Sequence, residues 1–244
     1  MTNTSTASGV AAPAGLLSRF LGIITAPKDT FQGVVARPRS FGMLALTTLI
    51  LIVCTAGPMF TEWGRQAALD QQVQTLESFG QTIDDETYAG MERRMSFAAY
   101  TTGLGILIFS PFMALVVSAI LFAIFNAALG GNASFKQLFS IVVHAGVISA
   151  LSALFSAPLN YARGSMSSST NLAVFLPMLD EQSFLAGFLG AIDLFIIWYV
   201  LVLAIGLGVL FKRPTGRIAI GLFIVYAVIA VGIALVKSSF GGSN

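Results

Sequence analysis

Long apolar runs alternate along the chain with short polar segments that hold nearly all of the charge. A helix rises about 1.5 Å per residue, so about 20 apolar residues cover the roughly 30 Å of hydrocarbon in a bilayer. Five runs approach or exceed that length, at about 41–60, 100–129, 135–158, 184–211 and 218–236. The pattern predicts an all-α fold, a polytopic membrane helix bundle of five transmembrane helices with a short N-terminal amphipathic helix. Pro58, Pro158 and Pro214 stand at span exits, and the excess length of the second run around Pro111 predicts a kink or tilt.

Outside the spans the pattern changes. Residues 1–13 are small, polar and uncharged, which predicts a disordered tail without the features of a cleaved leader. From Ala14 the residues Leu16, Leu17, Phe20, Leu21 and Ile24 recur at helical spacing until Pro27. Residues 14–40 thus read as an amphipathic interfacial segment with Arg19, Lys28, Arg37 and Arg39 at the lipid headgroups. Packing of its apolar face on the bundle is the other reading, and amphipathicity does not separate them.

The insertion at 61–99 carries seven acids and three arginines. Leu69, Val73, Leu76 and Ile83 predict one short helix, and Tyr88, Met91 and Met95 a second. Asp84, Asp85 and Glu86 lack the alternating spacing of a calcium loop and read as a solvated helix start. In the third run Ala145, Ser149, Ala153 and Ala157 recur every four residues, which predicts a helix-packing face of small side chains and places that span inside the bundle. The 160–182 loop is serine-rich with an apolar patch at 172–179, and residues 239–244 read as a frayed tail.

Composition sharpens this picture. The chain is 56% hydrophobic and 10% charged, with mean hydropathy +0.84, whereas a soluble domain carries about 25% charge. That excludes a soluble enzyme and leaves residues 41–238 as one membrane domain. Cys54 is the sole cysteine, so no internal disulfide or cysteine metal cluster forms. With alternating spans, eight cations fall on one side, among them Arg37, Arg39, Lys136, Lys212, Arg213 and Arg217; five fall on the other, which also holds the acidic insertion. The positive-inside rule then predicts a cytoplasmic N-terminus, an extracytoplasmic insertion at 61–99 and an extracytoplasmic C-terminus. The cations flank spans instead of forming a patch, so no nucleic-acid partner is expected.

Candidate chemistry is sparse. His144 is the only histidine, and Asp193 is the only acid inside a run. Ionisable groups at membrane depth cost a few kcal/mol and face the bundle interior. The two are read as a candidate intramembrane polar pair, either a packing hydrogen bond or a proton relay or ion site. Two such groups are too few for a metal site, and no G-x-S-x-G elbow is present, so no catalytic residue, metal or cofactor is expected. The glycines of GLGVLF follow no strand and read as packing positions.

Three stretches carry a family resemblance: APKDTF at Ala26–Phe31, GGNASFKQLFSIVVHAG at Gly130–Gly146 and DLFIIWYVLVLAIGLGV at Asp193–Val209. With five close-set spans they resemble the Yip-domain family of Rab/Ypt-interacting membrane proteins, in its prokaryotic branch. The resemblance implies a non-enzymatic protein of the bacterial cytoplasmic (inner) membrane, whose partners are the lipid bilayer and another membrane protein or further copies of itself. A small transporter or channel subunit using Asp193 and His144 is the alternative.

Overall fold

A computed structural model describes residues 15–166, 168–176, 178–179 and 183–241; the 1–13 tail, Asp180, Glu181 and the last three residues lie outside these. Every regular element among the described residues is a helix. In chain order they are α1 (Leu16–Thr25), α2 (Pro27–Ala36), α3 (Phe41–Ala56), α4 (Glu62–Glu77), α5 (Asp85–Met95), α6 (Ala98–Phe122), α7 (Phe135–Ala145), α8 (Val147–Arg163), α9 (Phe184–Ala191), α10 (Leu194–Phe211) and α11 (Thr215–Gly241).

Five helical stretches are long and apolar enough to cross a membrane: Phe41–Phe60, Ala98–Ala127, Phe135–Arg163, Leu194–Phe211 and Thr215–Val236. Their burial differs. In the most apolar window of the third, 56% of residues are buried against 11% in the second, so the third span (α7 and α8) sits inside and α6 on the rim. It continues past Pro158 to Arg163. At the end of the second, a π-helical turn at Ala123–Ala128 absorbs surplus length. Asn126 then closes the following GGN turn by bonding both the carbonyl and the amide of Ala133. Span five also overruns its expectation, since helix continues through residues 239–241.

The N-terminal segment is two helices, with Pro27 at the first turn of α2, where a missing amide costs nothing. Ile23, Phe31 and Val34 are buried in the bundle core. Leu17 and Leu21, on the opposite side of α1, remain exposed, so the face toward the bundle is Leu16, Phe20, Ile23 and Ile24. Of the two readings for this segment, the structure has it packed on the bundle. The insertion forms the expected helix pair: Leu69 and Met91 are buried, and Asp84 caps α5 by accepting from the Thr87 amide at 2.9 Å. Trp63 meets Tyr161 edge-on at 5.0 Å, fixing the insertion to the end of α8.

Candidate functional site

Asp193 is not inside a continuous helix. The apolar run at 184–211 divides into α9 and α10, with Ile192 and Asp193 extended between them. Asp193 is the N-cap of α10; its Oδ1 accepts from the amides of Phe195 at 2.8 Å and Ile196 at 3.3 Å. A break in a membrane helix frees backbone groups that need partners. Here they find them. Leu172 N–H donates to the Ile192 carbonyl at 3.0 Å, and Leu194 N–H to the Thr170 carbonyl at 3.1 Å. Tyr226 on α11 accepts from the Asp193 amide at 3.2 Å and donates to the Ala191 carbonyl. Thr170 and Ser168 donate their hydroxyls to Asp193 Oδ2. The single span expected at 184–211 is therefore corrected to a helix broken at a capping aspartate, because Asp caps helix starts well and competes with interior helix bonds.

His144, on α7, is fully buried. Its Nδ1 lies 2.7 Å from the Ser140 carbonyl and its Nε2 lies 3.3 Å from a guanidinium nitrogen of Arg19. A neutral ring satisfies both contacts, with Nδ1–H donating to Ser140 and Nε2 accepting from Arg19. Arg19 also donates to the Arg39 carbonyl at 3.0 Å. The sequence placed Arg19 at the headgroups, whereas α1 turns it inward. The spacing from Arg19 to buried Ile23 is one helical turn, a signal for the shared face. His144 and Asp193 thus have separate partners, and as a pair they are corrected: one is held from α1, the other from the 168–171 loop and α11.

The small face also divides. Gly146 interrupts the helix between α7 and α8. Ala145 is fully buried, yet Ser149 is exposed to a cavity, and Ala153 and Ala157 border another beside Cys54 and Trp63. The buried side of early α8 is instead Val147, Ile148 and Ala150. Close packing by small residues occurs on α10. A side-chain carbon on Gly206 would come within 2.6 Å of Ile141 and 3.1 Å of the Phe31 ring. Three separated stretches of the chain meet at that notch. The glycines of GLGVLF are packing positions here.

Arg37, Arg39, Lys136, Lys212, Arg213 and Arg217 are all exposed and share one end of the bundle. Gln137 at the start of α7 donates to the Val35 carbonyl at 3.2 Å, and Arg213 donates to the Leu129 carbonyl at 3.2 Å. Lys212 adopts a left-handed conformation as the α10 cap, making the turn into α11 tight.

Asp193 looks onto a cavity of about 300 Å³ whose wall includes Ser149, Ser152, Ser156, Ser168, Thr170 and Tyr199. Among the described residues no group of three or more His, Cys, Asp or Glu could hold a metal.

The family model described as Yip1 domain matches residues 21–236. The chain belongs to the Yip1 domain family. It is similar to the membrane protein YknW of Bacillus subtilis (strain 168), with 26% identity over 225 residues, covering 91% of this chain and 88% of that protein. No solved structure matches it significantly. The chain is thus an integral membrane Yip1 domain protein, and the stretches that carried the resemblance have defined places. Phe31 of the first and Gly206 of the third meet at the α10 notch beside Ile141 of the second, which also supplies His144.

Proposed function

We propose that this Yip1 domain protein is non-enzymatic and acts in the bacterial cytoplasmic membrane through another membrane protein or further copies of itself. The observation that carries the reading is how the ionisable groups of the spans are used. His144 is fully buried and closed between Ser140 and Arg19, and Asp193 holds a helix start. Neither group bonds the other. The surface offered to neighbours is apolar, with Phe109, Phe112, Ile224 and Val228 exposed on α6 and α11. The basic end faces the cytoplasm in this reading, with the insertion outside, supported by the six exposed cations gathered at that end.

Transport is the second reading, favoured by one observation: a hydroxyl-lined cavity at a broken helix, the form that substrate sites take in many transporters. Purified protein in vesicles loaded with a pH-sensitive dye separates the two. Proton flux no faster than in protein-free vesicles, with stoichiometric in-membrane crosslinking to one partner or to itself, is expected. Flux that Asp193→Asn abolishes would overturn the proposal.

A further inference from the structure

Two cavities adjoin, with Ser149 and Tyr199 in the walls of both. One is the polar chamber beside Asp193. The other, about 590 Å³, runs between α3, α6 and the third span along Leu44, Leu51, Phe109 and Met113. Leu44 and Thr55 mark its extent on α3, about 16 Å at the helical rise. One leaflet of hydrocarbon is about 15 Å deep. The pair of cavities therefore has the form of a polar head and an apolar tail, the tail as long as a leaflet.

The polar chamber has capacity to spare. Ser149, Ser152 and Ser156 fall at i, i+3 and i+7 on one face of α8. Hydroxyls on membrane helices commonly bond the carbonyl one turn back, as Thr47 does to Met43 and Ser118 to Ala114. These three make no such bond, nor any other among the described residues. At membrane depth an unpaired hydroxyl is costly, so they need a partner that the chain does not supply. Among the described residues Asp193 receives only neutral donors, two amides and two hydroxyls. No Lys, Arg or His is among the described residues lining either cavity. The complement of that carboxylate is a cation.

We propose that the two adjoining cavities together hold one phospholipid whose headgroup carries a primary amine. Its ammonium sits at Asp193, its headgroup and ester oxygens accept from Ser149, Ser152 and Ser156, and one acyl chain fills the channel toward Leu44. A soluble amine would leave the channel empty, and a lipid without an amine would leave Asp193 uncompensated. The site rests on this geometry and is independent of which protein partner the bundle engages.

The full chain, placed in nanodiscs of equal phosphatidylethanolamine and phosphatidylglycerol and released in a native mass spectrometer, tests this directly. Wild type is expected to retain phosphatidylethanolamine about tenfold over phosphatidylglycerol, the scale of one charge-assisted contact. Asp193→Asn keeps a capping side chain and is expected to lose that preference. Met113→Trp, which fills the channel, and Ser152→Val, which removes a donor to oxygens that both lipids carry, are each expected to lower retention of both lipids without touching the cap. Equal retention of both lipids by wild type would overturn the site. So would an amine preference that survives Asp193→Asn, or retention unchanged by Met113→Trp and Ser152→Val.

Discussion

The two ends of the bundle handle buried polarity in opposite ways. At the basic end, His144 is sealed: its ring nitrogens go to a backbone carbonyl and a guanidinium, Phe31 and Ile141 pack closely against Gly206, and Ser140 Oγ and Arg19 Nε are buried beside it without a partner among the described residues. Toward the insertion end, the backbone itself opens at Asp193, and hydroxyls without protein partners line a cavity beside it. Both ends contain one ionisable group in an apolar run, so composition alone does not distinguish them. What differs is where the partners come from. His144 draws on α1, a rigid helix packed on the core, whereas Asp193 draws on a loop and on one tyrosine of α11.

The sealed end is expected to be the one on which stability rests. Phe31→Ala should therefore have the largest effect, about 3–5 kcal/mol, by emptying a fully buried ring from the notch. Gly206→Ala should follow at about 1–3 kcal/mol by overpacking the same place, because the added carbon meets Ile141 and Phe31. Unfolding of the purified protein in mixed micelles, followed by denaturant titration, measures both. Stability losses below those of matched substitutions on α6 would erase the contrast between the ends.

At the open end, the comparison sharpens by choice of side chain. Asp193→Ala should cost about 0.5–2 kcal/mol through loss of the cap, while Asp193→Asn should be near neutral in the same titration. Equal loss in the two would mean that the charge and not the cap holds the break.

Outside the membrane the expected effect is smallest. The hydroxyl and amide of Thr87 hold the Asp84 carboxyl below its ordinary value near 3.8. A depressed acid stabilises the fold above its unfolded pKa and loses that contribution as pH falls through the folded value. The protection of α5 amides, taken relative to their intrinsic exchange rate at each pH, should therefore stay constant above about pH 4 and fall below it. Asp84→Asn should flatten that response.

Much of this was legible in the chain. Five apolar runs reveal five spans, and the insertion helices keep time through Leu69 and Met91, both buried. The cations at span ends mark one end of the bundle. The candidate site was less legible, because its geometry depends on partners remote in sequence. Arg19 meets His144 across 125 residues and Tyr226 meets Asp193 across 33. Hydropathy reads 184–211 as one run, because Ile192 and Asp193 interrupt the helix without interrupting the apolar pattern for more than one residue. The four-residue recurrence from Ala145 to Ala157 likewise ignores Gly146, where the helix is interrupted between α7 and α8. Local periodicity reports elements and faces; it does not report where a helix borrows hydrogen bonds from another part of the chain.

Two serines of the third span test the contrast most directly. Ser140 is fully buried at the sealed end, and Ser152 lines the open cavity. With Cys54→Ser as background, Ser140→Cys and Ser152→Cys are labelled in delipidated, detergent-purified protein with a small water-soluble maleimide. The thiol at 152 is expected to react and the thiol at 140 to stay protected until the protein is unfolded. Reaction at 140, or protection at 152 equal to that at 140, would contradict a sealed end and an open end in one bundle.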